Sequence, residues 1–186
     1  MTTERKVMKP WRTARSESLI RDQWLSLRAD TCELPSGAVI SPYYVLEERD
    51  WVHVFAEDDQ GRVLIVRQYR HGANSFCTEL PGGVVDAGEA LLDAAKRELL
   101  EETGYAAETW TAIGKTFANP ARQTNCVHIF LARGLRAQSG QALDASEDIA
   151  FSFASVAEIK AMIARFEFSQ SLHIASFYMV LEARVA

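Results

Sequence analysis

Gly83-Val84-Val85-Asp86-Ala87-Gly88-Glu89, then seven residues, then Arg97-Glu98-Leu99-Leu100-Glu101-Glu102-Thr103-Gly104-Tyr105, is the stretch on which the chain turns. Apolar Leu92, Ala95 and Leu99 make a helical stripe beside the acids. Five helical residues from Glu98 to Glu102 advance about 400°, or about 40° net, so those two carboxylates share a face. Glu101 lies about 60° to the other side of Glu98. Like charges three and four apart repel on a helix. Such a cluster costs stability unless a cation sits among it, and carboxylate oxygens suit Mg2+ or Mn2+. Pro81-Gly82-Gly83 and Asp86-Ala87-Gly88 supply turns before the helix. Glu89 is expected in its first turn, where an anion complements the helix dipole. Thr103-Gly104 stops it with a glycine cap.

Outward from this stretch, 186 residues suit one main domain with a small appendage, and 48% apolar residues can build a core. A net charge of −5 offers no bulk attraction for nucleic acid, which disfavours RNA-end substrates. Cys32, Cys77 and Cys126 have neither metal nor redox spacing and read as buried free thiols. The first twenty residues lack an apolar leader segment, and the uncharged run 168–181 is too short to span a bilayer. A soluble cytoplasmic protein without membrane or nucleic-acid partners is expected.

Residues 1–16 are polar and basic around Pro10 and read as a mobile arm. Strands over 19–31 and 39–46, joined by Leu34-Pro35-Ser36-Gly37, form an N-terminal β-hairpin within 17–47. A lone hairpin cannot bury its apolar residues, so it must pack on the main domain or on a second subunit. The main domain, 48–186, reads as strands over 51–56, 62–69, 77–80, 109–116, 127–132 and 149–153. A long loop runs over 134–148, and Ser155-x-x-Glu158 caps a helix to Arg165. A last helix spans 169–184. The class is α+β, a mixed sheet flanked by helices.

The identities Gly83, Glu89, Arg97, Glu98, Glu101, Glu102 and Gly104, with Leu99 and Tyr105, match the Nudix box without gap or substitution. The chain therefore resembles Nudix hydrolases, with the family's α/β/α sandwich, divalent metal and cleavage of nucleoside diphosphates linked to another group. Val66-Arg67-Gln68-Tyr69-Arg70-His71-Gly72, Glu79-Leu80-Pro81-Gly82-Gly83, Pro120 and Ser146-Glu147-Asp148-Ile149 resemble segments of the ADP-ribose pyrophosphatase group, as does the N-terminal hairpin. That resemblance implies a homodimer exchanging the hairpin and a nucleoside diphosphate sugar as substrate.

The same resemblance implies metal ligation by Glu98, Glu102, the Gly82 carbonyl, Glu101 and Glu147. Arg97 would hold Glu89 or a box glutamate by a bidentate fork. Arg70 matches a phosphate-binding arginine, with Arg49 and Arg67 as further candidates. Glu79 and Asn125 are placed at the substrate. Trp51, Tyr69, Tyr43 and Phe117 could stack on a base. His53, His71, His128 and His173 show no ligand spacing and read as structural or surface residues. Related enzymes often carry the general base at the position of Ala145, so Asp144, Glu147 or Glu101 must take that role. Where relatives often hold the terminal ribose with an acid, Arg122-Gln123-Thr124-Asn125 stands. A nucleoside diphosphate hexose is thus an alternative substrate, and a non-catalytic nucleotide-sugar sensor a further one.

Overall fold

The structure, a computed structural model, describes residues 7–184. The chain divides into two compact units, residues 1–48 with 119–125, and residues 49–118 with 126–186. Of the expected arm, residues 1–6 lie outside the described residues.

The first unit is a three-stranded antiparallel sheet rather than a hairpin: β1 (Arg12–Arg21), β2 (Ser26–Glu33) and β3 (Val39–Leu46), in that order. The strand expected over 19–31 is broken at Asp22. Its carboxylate accepts the amides of Trp24 and Leu25 at 2.7 and 2.8 Å, a local bond that competes with the ladder. The arm reading fails over 12–16 because those residues pair with β2 from Glu33 back to Asp30. Ser16 donates to buried Asp30 at 2.6 Å. At the other edge, the Leu46 amide donates to Arg122 O at 2.7 Å and the Tyr43 hydroxyl to Ala121 O at 2.5 Å. Every residue of β1 is exposed, including Leu19 and Ile20.

The second unit is a mixed sheet between helices. Its strands are β4 (Trp51–Glu57), β5 (Arg62–Arg70), β6 (Ser75–Glu79), β7 (Gly82–Val84), β8 (Tyr105–Phe117), β9 (Cys126–Ala137) and β10 (Ile149–Ser155). The central order is β10-β5-β4-β9-β8, with β6 on β5 and β7 on β4. Among the described pairs only β4–β9 is parallel. Alternation along β4 divides the core. Val52, Val54 and Ala56 meet Ala94, Ala95 and Leu99 of α1 (Leu91–Thr103). Phe55 packs with Ile159 of α2 (Val156–Ala164) and with Phe177 and Val180 of α3 (Ser171–Ala183). Each fully buried aliphatic side chain of this kind contributes about 2 kcal/mol.

Ser155 and Glu158 form the expected capping box of α2. Several boundaries differ from expectation. Helix α1 begins at Leu91, so Glu89 lies before its first turn, where its carboxylate accepts the Asp86 amide at 3.0 Å. Glycine-rich 82–84, read as turn, is a short strand because β4 supplies its partners. β8 and β9 extend to Tyr105 and Ala137, pairing Ala106 and Ala107 despite their weak strand preference.

Candidate active site

A cleft of about 750 Å³ opens in the second unit, a size suited to a small-molecule ligand. At one end the box strand meets α1. The Gly82 amide donates to Glu102 Oε2 at 2.9 Å. A Cβ on Gly83 would stand 2.5 Å from Glu98 Oε1, so only glycine lets backbone approach that carboxylate. Gly82 is pinned as well, at φ +155° with Val52 O where a Cβ would go.

Arg97 organises the acids. Its Nε and Nη2 fork onto Glu89 at 2.9 and 3.0 Å; Nη1 reaches Glu98 at 2.8 Å and Glu101 at 3.0 Å; Nη2 also donates to Val84 O at 3.0 Å. Those five bonds match the five N–H donors of a guanidinium. The expected bidentate fork is present, on Glu89. The Arg97 hydrogen bonds hold Glu89 down near pKa 2, and the same carboxylates raise Arg97 further above its ordinary range.

Glu98 and Glu102 are buried. Burial raises the Glu98 carboxyl against the pull of Arg97. Burial likewise pushes Glu102 up to about 8, with Glu98 and Glu147 adding repulsion that the Gly82 amide and Arg70 only partly offset. Glu102 has no ion-pair partner among the described residues. Two buried carboxylates, of which only Glu98 is held by an arginine, are a donor set that an oxygen-preferring divalent cation would neutralise. No three His, Cys, Asp or Glu already converge as a ligand set among the described residues. Asp144 and Glu147 reach the same end of the cleft from the segment before β10. Each donates its amide to the other residue, Asp144 to the Glu147 carboxylate at 3.0 Å and Glu147 to Asp144 O at 2.9 Å.

The cleft is also lined by Arg49, Trp51, Arg70, His71, Gln68 and Glu79. Arg49 pairs with exposed Asp86 at 2.8 Å. Glu79 is fully buried, and Arg70 grips it through Nε at 3.2 Å and Nη2 at 2.6 Å. Glu79 thus sets the guanidinium's direction while half of Arg70 remains exposed. Glu101, 40% exposed, reaches Arg97 but not the cleft wall. Asn125 belongs to the first unit; it is buried, and neither amide atom has a hydrogen-bond partner among the described residues.

Two wall residues had no signal in the sequence beyond being histidines. His53 and His173, from β4 and α3, stack with ring centroids 3.7 Å apart. Ser176 donates to Leu172 O at 2.9 Å, so His53 Nδ1 donates to Ser176 at 2.9 Å. The Leu80 amide donates to His173 Nδ1 at 3.2 Å, leaving the proton on Nε2, 3.7 Å from Glu79. Burial keeps both rings neutral, His53 well below its ordinary value and His173 at about 3. His128 sits elsewhere, 2.7 Å from Asp50. Cys77, buried as expected, also lines the cleft.

The second unit is thus a mixed sheet between helices with a cleft lined by buried carboxylates and by arginines, an arrangement that suits an enzyme handling phosphorylated small molecules. The chain belongs to the Nudix hydrolase family: residues 48–173 match the model of the NUDIX domain. Residues 11–46 match the nucleoside diphosphate sugar hydrolase N-terminal domain. The ADP-ribose pyrophosphatase of Mycobacterium tuberculosis (strain ATCC 25618 / H37Rv) is 33% identical over 170 residues, 90% of this chain and 82% of that protein. The ADP-ribose pyrophosphatase of Bacillus subtilis (strain 168) is 32% identical over 124 residues, 67% of this chain and 66% of that protein. A crystal structure of an ADP compounds hydrolase superposes with a TM-score of 0.83 over 96% of both chains at 20% identity, a likeness of fold.

Proposed function

We propose that the protein hydrolyses the diphosphate of ADP-ribose or a related nucleoside diphosphate sugar, using Mg2+ or Mn2+. The observation that carries this reading is the buried Glu98–Glu102 pair sharing one cleft with Arg70. Water adds to one phosphorus, the anhydride P–O bond breaks, and a nucleoside monophosphate and a sugar phosphate leave. A divalent cation held by Glu98 and Glu102, with Glu147 and the Gly82 carbonyl as further donors and Glu101 only if it leaves Arg97, would neutralise diphosphate oxygens and acidify water. Arg97 orients the glutamates, as groups behind metal ligands do. Arg70, aimed by Glu79, and Arg49 bind phosphate. Trp51 offers a face to the base.

For the general base, the positions of Asp144 and Glu147 in the cleft favour them over Glu101. The two relatives named ADP-ribose pyrophosphatase support ribose as the sugar. The uncharged Asn125, where relatives often carry an acid, keeps a hexose as the second reading. The exposed β1 sheet edge supports a homodimer through the N-terminal unit. Among the described residues no helix is long and apolar enough to cross a membrane.

A substrate panel with Mg2+ tests the proposal: ADP-ribose, ADP-glucose, GDP-mannose, UDP-glucose and NADH, each read by product mass. Release of AMP and ribose 5-phosphate from ADP-ribose, faster than any other cleavage, is expected. Preference for a hexose nucleotide would transfer the reading to the alternative. No cleavage of any member would leave the sensor.

A further inference from the structure

Every helix ends with carbonyls that lack intrahelical donors. In α1 the Thr103 hydroxyl donates to Leu99 O and the Gly104 amide to Leu100 O. The carbonyls of Glu101, Glu102 and Gly104 are taken by one distant segment. The Ala142 amide donates to Glu101 O at 2.9 Å, and the amides of Gln138 and Ser139 donate to Gly104 O at 2.9 and 3.2 Å. Gln141 completes the set with its side chain, Nε2 donating to Glu102 O at 2.6 Å. The approach requires glycine at 104, since a Cβ there would collide with Ser139 O.

Gln141 does more than cap. The same Nε2 donates to Ile149 O, the first residue of β10, at 2.9 Å. Both acceptors are carbonyls, so the amide nitrogen must face them, and a primary amide supplies both protons from that one atom. One side chain thus ties the end of the carboxylate helix to both ends of the segment 142–148. That segment carries Asp144 and Glu147 into the cleft. Between its anchors it has the reciprocal Asp144–Glu147 bonds and the packing of Leu143 on the core.

We propose that Gln141 is a positioning residue: its two-carbonyl clamp couples the segment bearing Asp144 and Glu147 to the helix bearing Glu98 and Glu102. The proposal rests on the assignment of these acids to the hydrolytic site. It is tested with Gln141→Leu, which keeps size without donors, and Gln141→Glu, which keeps shape but turns acceptors toward the carbonyls. Deuterium exchange over 142–148 should quicken about 5-fold or more in both, while the middle of α1 keeps its protection. For ADP-ribose with Mg2+, kcat should fall about 10-fold with KM within about 3-fold. The Mg2+ concentration for half-maximal rate should rise. Unchanged exchange over 142–148 in both variants would overturn the proposal, as would a lowered Tm with kcat and Mg2+ dependence kept. Exchange needs no turnover, so a parent inactive on every diphosphate would refute the proposed function and still leave the clamp decided by exchange.

Discussion

Replacing Glu102 with Gln should make the metal-free protein more stable while removing its response to Mg2+. In the folded chain Glu102 titrates near 8, against an ordinary 4.5, because it is buried among other acids. The unfolded state therefore gives up its proton first, and folding loses free energy as pH rises from 4.5 toward 8. At pH 7 this cost is about 3 kcal/mol, and at pH 5 about 1 kcal/mol. Gln keeps an acceptor for the Gly82 amide, but its NH2 group needs a partner, at about 1 kcal/mol. The net gain at pH 7 is about 2 kcal/mol, or about 4–8 °C in Tm for a chain of this size. Thermal denaturation in EDTA at pH 5, 7 and 8 measures it. The difference between variant and parent should widen with pH, and Mg2+ should raise Tm in the parent alone. A variant less stable than the parent at every pH, or one that gains equally from Mg2+, would refute the reasoning.

Gly83→Ala should push the Glu98 carboxylate aside, since the new methyl falls 2.5 Å from it. Mg2+-dependent turnover should drop about 10-fold or more with the fold retained by circular dichroism. Arg70→Ala should cost about 3 kcal/mol in chemical denaturation by leaving buried Glu79 without its cation. Arg70→Ala with Glu79→Gln should recover most of that stability while KM for ADP-ribose stays high. His173, held neutral down to about pH 3 by burial, takes its proton first in the unfolded state. Stability should therefore fall as pH drops from about 6.5 toward 3, and His173→Gln should flatten that slope in acid-denaturation curves.

The helix that carries the acids was legible in sequence because periodicity, turn chemistry and cap all agreed from Pro81 to Gly104. The fork of Arg97 on Glu89 was one of the two alternatives that the Nudix resemblance implied, and Arg97 engages the box glutamates as well. What escaped came from long range. His53 and His173 meet only because β4 and α3 pack together, and the buried bond from Arg70 to Glu79 depends on cross-strand register. The rotation that separates Glu101 from Glu98 was readable, yet its engagement by Arg97 rather than the cleft wall was not. In the first unit, Asp22 competes with the ladder through its own side chain, so a run that looked like one strand became two. The alanines opening β8 carry little strand signal, and β9 alone recruits them.

The most direct test is anomalous diffraction from crystals grown with Mn2+ and a non-hydrolysable ADP-ribose analogue. The account predicts a manganese peak bound to the carboxylates of Glu98 and Glu102, with the analogue's diphosphate between that ion and Arg70. Manganese found away from both glutamates, or an analogue whose diphosphate avoids this cleft, would contradict it.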